Sequence, residues 1–374
     1  MSPAVRIITA GALPHWLLGP IGSDVNQCSI APRSMTAYRD GVQRQRRYLT
    51  PHCPTLELGL LRRWQNPPVY RPLVDLLTME KRHLIITYRF DRATIQELCT
   101  QLEPDLISPI RHPTGIPPDV QVISVLHFLA GGSFQTTVAM ASGMSQPMFS
   151  NVLSRVLSAL LKHVRSYIVF PQVEDLTTVK GDFYALGHIP NIIGAIDGTH
   201  VALVPPHRSE QVYRNRKSYH SMNVQMVCLA DQYISQVNAM FPGSVHDAYI
   251  LRNSSIPYVM GQLQRHRVWL LGDSGHPNLS WLLTPVRNPR TRAEERYNDD
   301  HRRTRRVIER TFGLLKARFR CLHMTGGFLF YSPRKEDGPD EGIVAAVEPV
   351  DSAEDEAEEE DIDNRESVIQ QYFQ

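Results

Sequence analysis

The sequence predicts a mixed α/β protein in which a helical domain with a helix-turn-helix-like layout precedes a domain built on a sheet. Three observations predict it. Apolar residues recur at helical spacing from about Pro72 to Val164. From Pro190 the pattern changes to that of strands buried on both faces. These strands are clustered, and a last short strand and a last helix follow them. At 374 residues the chain exceeds the usual single-domain size, so two modules plus tails are expected. Its 42% hydrophobic and 21% charged residues suit a globular protein with a core.

Residues 1–70 lack periodicity and are dotted with Gly, Pro, Ser and Arg, and are read as a weakly ordered N-terminal extension. Residues 71–170 form the helical domain: Leu73, Leu76 and Leu77, then Phe90, Ile95, Leu98 and Leu102, recur at helical spacing. The spacing predicts a helix over Asp119–Leu129, preceded by Pro117-Pro118, with Val122, Val125, Leu126 and Leu129 facing inward. Gly131-Gly132 ends it. A short segment over 133–142 carries Phe134, Val138 and Ala141 inward. After the Gly143 turn, Ser145 caps a long helix running to about Val164, with Phe149, Val152, Leu153, Val156, Leu160, Leu161 and Val164 on its buried face. Gln146, Ser150, Asn151 and Arg155 are expected on the exposed side, where a recognition helix contacts DNA. A plain helical bundle supporting the next domain fits the same pattern, and both readings stay open.

The second domain is assigned to 190–335. Residues 191–204 read as a strand apolar on both faces, 221–230 and 233–240 as two more joined by an Asp231-Gln232 turn, and 268–271 as a fourth. A basic, irregular stretch then leads to a helix from about Arg303 to Arg320. Residues 336–374, rich in Asp and Glu from Asp351 to Asp363, are expected to be an acidic disordered tail.

Asp197 is the most informative residue. An ionised carboxylate on an otherwise apolar strand costs several kcal/mol unless something compensates it, about as much as any buried charge. No Arg or Lys stands in register beside it, which favours a bound cation over an ion pair. Asp273 repeats the pattern at the end of Trp269-Leu270-Leu271-Gly272, and Gly272 and Gly275 permit close approach. Glu309 lies one position after Ile308, whose stripe continues through Phe312, Leu315 and Phe319, so it borders the buried face. A solvated Glu paired with a neighbouring Arg is its alternative. Asp247, after Pro242-Gly243, is either a helix cap or a further site carboxylate. Oxygen donors without clustered Cys or His suit Mg²⁺ or Mn²⁺ rather than zinc. His200, His246 and His276 lie near in sequence but are left outside the core set.

The formal net charge of +2 conceals segregation: arginines crowd 287–320, an electrostatic footprint for nucleic acid, whereas the tail is acidic. Five scattered cysteines without a CxxC pair argue against a disulfide framework or a structural zinc site. No apolar run is long enough to span a membrane, and the first twenty residues make a poor secretory signal. Nucleus and cytoplasm are the expected locations.

Several motifs stand in order: Gly194-Ala-Ile-Asp-Gly-Thr-His200, Asn215-Arg-Lys-Ser-Tyr-His-Ser-Met-Asn223, Phe241-Pro-Gly-Ser-Val-His-Asp247, Trp269-Leu-Leu-Gly-Asp-Ser-Gly275, Trp281-Leu-Leu-Thr-Pro285 and Ile308-Glu-Arg-Thr-Phe-Gly313. Together they resemble the transposase-derived DDE nucleases of the PIF/Harbinger superfamily, over roughly residues 70–335. The resemblance implies an RNase H-like DDE catalytic domain. It implies metal binding by Asp197, Asp247, Asp273 and Glu309, with Asp197, Asp273 and Glu309 catalytic, and a Myb-like DNA-binding partner protein. The sequence departs from that family at two points. His276 replaces an aromatic residue, and after Tyr331-Ser-Pro333 the chain enters Arg334-Lys-Glu-Asp-Gly-Pro and the acidic tail instead of an apolar closing helix.

The expected function is therefore divalent-metal-dependent hydrolysis of DNA phosphodiester bonds. Its rival is a DNA-associated interaction protein that has lost useful catalysis. A hydrolase of phosphorylated small molecules is disfavoured by the arginine density.

Overall fold

The computed structural model describes residues 79–107, 115–205, 210–324 and 358–373. The extension over 1–70, the Tyr331-Ser-Pro333 motif and the tail up to residue 357 lie outside the described residues.

Strand β1 (Ile192–Ala202) is central because its residues are apolar on both faces, and both faces are covered. Antiparallel pairing joins β1 to β2 (Ser221–Cys228) and β2 to β3 (Ile234–Pro242). On the other side β1 pairs in parallel with β4 (Trp269–Leu271), which pairs in parallel with β5 (Leu282–Leu283). The sheet order is β3-β2-β1-β4-β5. The Asp231-Gln232 turn is present: Gln232 adopts φ 69° and the Tyr233 N–H donates to Asp231 Oδ1 at 2.9 Å.

The helical part comprises α1 (Lys81–Tyr88), α2 (Arg92–Leu106), α3 (Pro118–Gly131), α4 (Gln135–Ala141) and α5 (Gln146–Tyr167). Asp91 caps α2 and Ser145 caps α5, each accepting from the backbone N–H three residues on. Helices α4 and α5 lie where the sequence reading puts them, but of the three residues expected to face inward only Val138 does, Phe134 and Ala141 being exposed, and two expected surface residues do not face out freely. Ser150 is buried, and Gln146 is half-buried with its Nε2 donating to Gln135 Oε1 at 3.0 Å. Asn151 and Arg155 are exposed as expected. One contiguous apolar core runs from Leu84 through the sheet to Phe373, so the two expected modules share it.

Helix α6 (Leu176–Gly187), absent from the sequence reading, buries Leu176, Val179 and Phe183 and packs against β1. After β3 come α7 (Asp247–Arg252) and α8 (Ile256–Leu263). Helix α9 (Arg292–Arg318) begins well before the expected start near Arg303. The stretch read as irregular is helical because Thr291 and Glu294 form a capping box and Tyr297, His301 and Thr304 form its inward stripe. These residues are buried polar and aromatic ones that a search for aliphatic periodicity overlooks. Tyr297 donates to Thr284 O at 3.0 Å, and His301 Nε2 meets Leu283 O at 3.1 Å, fixing the helix over β5.

The expected disordered acidic tail needs correction at its end. Residues Glu358–Tyr372 form helix α10, which packs against α9. Val368, Ile369 and Phe373 are buried, and Phe373 meets the Tyr297 ring edge-on at 5.6 Å. An apolar stripe following an acidic run is what a composition argument misses.

Candidate functional site

Pairing of β1 with β2 is uninterrupted from Ala195 to Ala202, so side chains alternate strictly there. Ala195, Asp197 and Thr199 face one side, and Ile196, Gly198 and His200 the other.

Helix α9 packs on the Asp197 side. Arg305 Nη1 donates to Asp197 Oδ2 at 2.7 Å, and Arg305 Nη2 donates to Glu309 Oε1 at 2.6 Å. Glu309 is one helical turn after Arg305, so a single guanidinium reaches both its own helix and the strand. The sequence expectation that no basic residue pairs with Asp197 is thereby corrected: the partner comes from 108 residues away. Asp273 joins them through register. Ala195 pairs with Leu271 where β4 ends; Asp197 lies two residues further along β1 and Asp273 two residues beyond β4, and their charges interact. Asp273 is held by His276, whose Nδ1 lies 2.6 Å from Asp273 Oδ1, and by the Gly275 N–H at 3.0 Å. The His276 side chain is fully enclosed beneath Gly272, where an added Cβ would come 3.3 Å from the ring.

The electrostatics agree with this convergence. Burial raises the Asp197 carboxyl and the Asp273 charge adds to the rise, while Arg305 opposes it. Burial works to raise Asp273 as well, but the hydrogen bond and charge of His276, the Gly275 N–H and Arg305 outweigh it and hold that carboxyl below its ordinary value.

Asp247 is placed differently. A Cβ added to Gly198 would stand 2.5 Å from Asp247 Oδ1 and 2.9 Å from Asn223 Oδ1, so Asp247 meets β1 on the side away from Asp197. Asn223 Nδ2 donates to Asp247 Oδ1 at 2.8 Å and to Val245 O at 3.0 Å. His200 and Ser221 lie on that side too, His200 Nδ1 meeting Ser221 Oγ at 3.1 Å. The structure thus gathers Asp197, Asp273 and Glu309 around Arg305, and it does not bring Asp247 into that group.

Among the described residues no three His, Cys, Asp or Glu side chains form a ready-made ligand cluster. The cation between Asp197 and Glu309 is the Arg305 guanidinium. The donors nonetheless fit a hard divalent ion: carboxylate oxygens from β1 and α9 already share one positive charge, and the Asp273 carboxylate just beyond β4 lies close enough to Asp197 for their charges to interact.

The alternative expected for Glu309, an exposed Glu paired with a neighbouring Arg, is what the structure shows, with Arg305 as that Arg. Sequence reasoning missed the reach of Arg305 to Asp197 and the contact of His276. Arg305 had a local signal, an Arg–Glu pair at i,i+4, obscured by the arginines around it. His276 had the Asp-x-x-His spacing. The rest of α9 mixes its signs: Arg302 pairs with Asp299 at 3.0 Å and Arg303 with Asp300 at 3.5 Å, while Arg306 and Arg310 are exposed. Lys316 donates to His200 O at 2.8 Å, and burial, with Lys217 nearby, depresses it to about 8.

Comparison with known proteins agrees with the motifs. The family model described as DDE superfamily endonuclease matches residues 196–329. The chain is 39% identical over 254 residues to the Bos taurus protein named "Putative nuclease HARBI1", covering 68% of this chain and 73% of that one. The Homo sapiens protein of the same name is 38% identical and the Xenopus laevis one 33%, with the same coverage. The Arabidopsis thaliana "Protein ALP1-like" is 25% identical over 63% of each chain. No solved structure matches the chain.

Proposed function

The chain belongs to the family of Harbinger transposase-derived nucleases, and from that premise we propose that it hydrolyses DNA phosphodiester bonds at a divalent-cation centre formed by Asp197, Asp273 and Glu309. The observation that carries the proposal is the sharing of one guanidinium between carboxylates of β1 and α9, beside Asp273 at the end of β4. Two carboxylates sharing one guanidinium, with a third beside them held by His276, have no evident structural purpose, since an apolar core would be at least as stable.

Mg²⁺ or Mn²⁺ held there would supply the acidity that turns water into a nucleophile and the charge that stabilises the leaving oxygen. The chain's own residues set the stage. The β1–β4 pairing, which ends at Ala195 and Leu271, delivers Asp197 and Asp273 to the same edge of the sheet. His276 and the Gly275 N–H keep Asp273 oriented and ionised. Asn223 and Asp247 lock the opposite side of Gly198, so the strand cannot twist Asp197 away. In this reading Asp247 positions the centre and is not a ligand of it. Exposed arginines of α9, Arg306 and Arg310 among them, bind the phosphate backbone. The exposed face of α5 with Asn151 and Arg155 adds a second DNA contact in a helix-turn-helix manner. A Myb-like DNA-binding partner and a location in nucleus and cytoplasm belong to the same reading. None of the described helices is long and apolar enough to cross a membrane.

One observation favours a second reading. Arg305 already compensates Asp197 and Glu309, so the fold needs no cation, and a DNA-associated interaction protein without catalysis fits that. Cleavage of supercoiled plasmid with Mg²⁺ or Mn²⁺ separates the two. The nuclease reading expects nicking that a chelator stops and that Asp197→Ala reduces to background. Equal nicking by wild type and Asp197→Ala, or nicking that survives the chelator, rules it out.

A further inference from the structure

A carboxylate oxygen satisfied by a guanidinium is not free for a metal ion. Asp197 Oδ2 and Glu309 Oε1 each accept one short, charge-assisted hydrogen bond from the same arginine, through different nitrogens. Bidentate sharing of this kind fixes the guanidinium between the two acids, at the place a hard cation would have to take. The Arg305 side chain is only 21% exposed, so it is held in the site and not merely resting on its rim. Its neighbours along α9 behave otherwise: Arg302 and Arg303 are 65% and 57% exposed and pair with acids of their own helix. Arg305 stands alone among these in reaching the sheet.

We propose that Arg305 is an exchangeable internal counter-cation of the carboxylate centre, competing with the divalent ion for Asp197 and Glu309 and leaving the site when the ion enters. This rests on the reading of Asp197, Asp273 and Glu309 as the cation centre. The exchange has a physical rationale. Three carboxylates brought together repel one another, and Asp197 is already penalised by burial, so an empty centre would strain the β1–α9 contact. The arginine relieves that repulsion while the ion is absent. Because its tether is the fourth turn of α9, it withdraws by rotation of its own side chain and needs no movement of the helix. No bond is made or broken in the exchange, and net charge in the centre rises by one as a divalent ion replaces a monovalent one. A cost accompanies the arrangement: apparent ion affinity is lower than the carboxylates alone would give.

The test is Mn²⁺ binding, read by the loss of the free-ion electron paramagnetic resonance signal, on the full chain without DNA. Arg305→Gln removes the competing charge and keeps most of the side-chain volume, and its affinity for Mn²⁺ is expected to rise about tenfold, the scale of losing one charge-assisted contact. Arg303→Gln, which deletes an equal charge two residues away on the opposite side of α9 and outside the site, is expected to change affinity by less than about twofold. Without Mn²⁺ the Arg305→Gln protein should melt lower than wild type, and added Mn²⁺ should raise its melting temperature more than it raises that of wild type. Should Arg305→Gln fail to fold, Arg305→Lys, whose ammonium cannot present the planar fork to both acids, is expected to show the same tightening at smaller size. Unchanged or weaker Mn²⁺ binding in a folded Arg305 variant overturns the exchange. So does an equal gain in Arg303→Gln, since that would make the effect one of overall charge. If wild type and the Arg305 variants all fail to bind Mn²⁺, the cation centre itself falls, and the exchange with it. Binding by wild type that is lost in Asp197→Asn but not tightened in the Arg305 variants leaves the centre standing and removes only the exchange.

Discussion

The two faces of β1 treat their carboxylates in opposite ways. On one, Asp197 is compensated by Arg305, a charged group on a long side chain. On the other, Asp247 is compensated by Asn223, a neutral amide locked between Asp247 and the Val245 carbonyl, with Gly198 leaving room for both. A charge held by a charged and displaceable partner can trade that partner for a ligand. A charge held by fixed dipoles is part of the frame. Residue type alone does not separate the two roles; the partner does.

Loss of cleavage is the largest effect the comparison implies. Glu309→Ala should lower Mg²⁺-dependent plasmid nicking at least about a hundredfold while leaving the circular dichroism spectrum native, because Glu309 is exposed and packs against little. A Glu309→Ala protein that nicks within a few fold of wild type breaks the assignment of the α9 face. On the frame side, Gly198→Ala should act on stability first, by roughly 1–3 kcal/mol in urea unfolding, since its Cβ would collide with Asp247 and Asn223. A neutral Gly198→Ala shows that side to be loose.

A pH effect of about 2 kcal/mol separates the helix that carries Arg305 from the strand. Burial depresses His301 from 6.5 to about 4, so it is neutral in the folded protein near pH 7. The unfolded chain takes up a proton near 6.5 and the folded one only near 4. The stability is therefore fully present above about 6.5 and is lost as pH falls between the two values, roughly 2 kcal/mol by about pH 5. Urea midpoints at pH 7 and pH 5 for wild type and His301→Gln measure it, and the variant should lose most of the slope. The smallest effect concerns DNA. Neutralising Arg306 and Arg310 together should weaken binding to a nonspecific duplex and reduce the slope of log affinity against log salt by about two. An unchanged slope would place the DNA elsewhere.

Much of this was legible in the sequence, and the exceptions share a cause. Asp197 and Asp273 announce themselves because a charge on an apolar strand is costly, and the Ile308 stripe orients Glu309 through helical geometry alone. What escaped was whatever depends on partners distant in sequence or on polar residues in the core. The Arg305–Asp197 pair spans 108 positions. The first part of α9 is anchored by Tyr297 and His301, which carry no aliphatic signature. Helix α10 hides Val368, Ile369 and Phe373 behind an acidic run. Helix α6 did carry a signal, Leu176, Val179 and Phe183 at helical spacing, and needed only to be looked for. The sidedness of Asp247 follows from the alternation of β1 but required knowing that α7 begins beneath Gly198.

Calorimetric titration of Mn²⁺ into Asp197→Asn and Asp247→Asn, beside wild type, tests the division most directly. Asp197→Asn should abolish binding, whereas Asp247→Asn, whose amide keeps a polar contact with Asn223, should bind within a few fold of wild type. Loss of binding in Asp247→Asn equal to that in Asp197→Asn, with both proteins folded, would contradict the account.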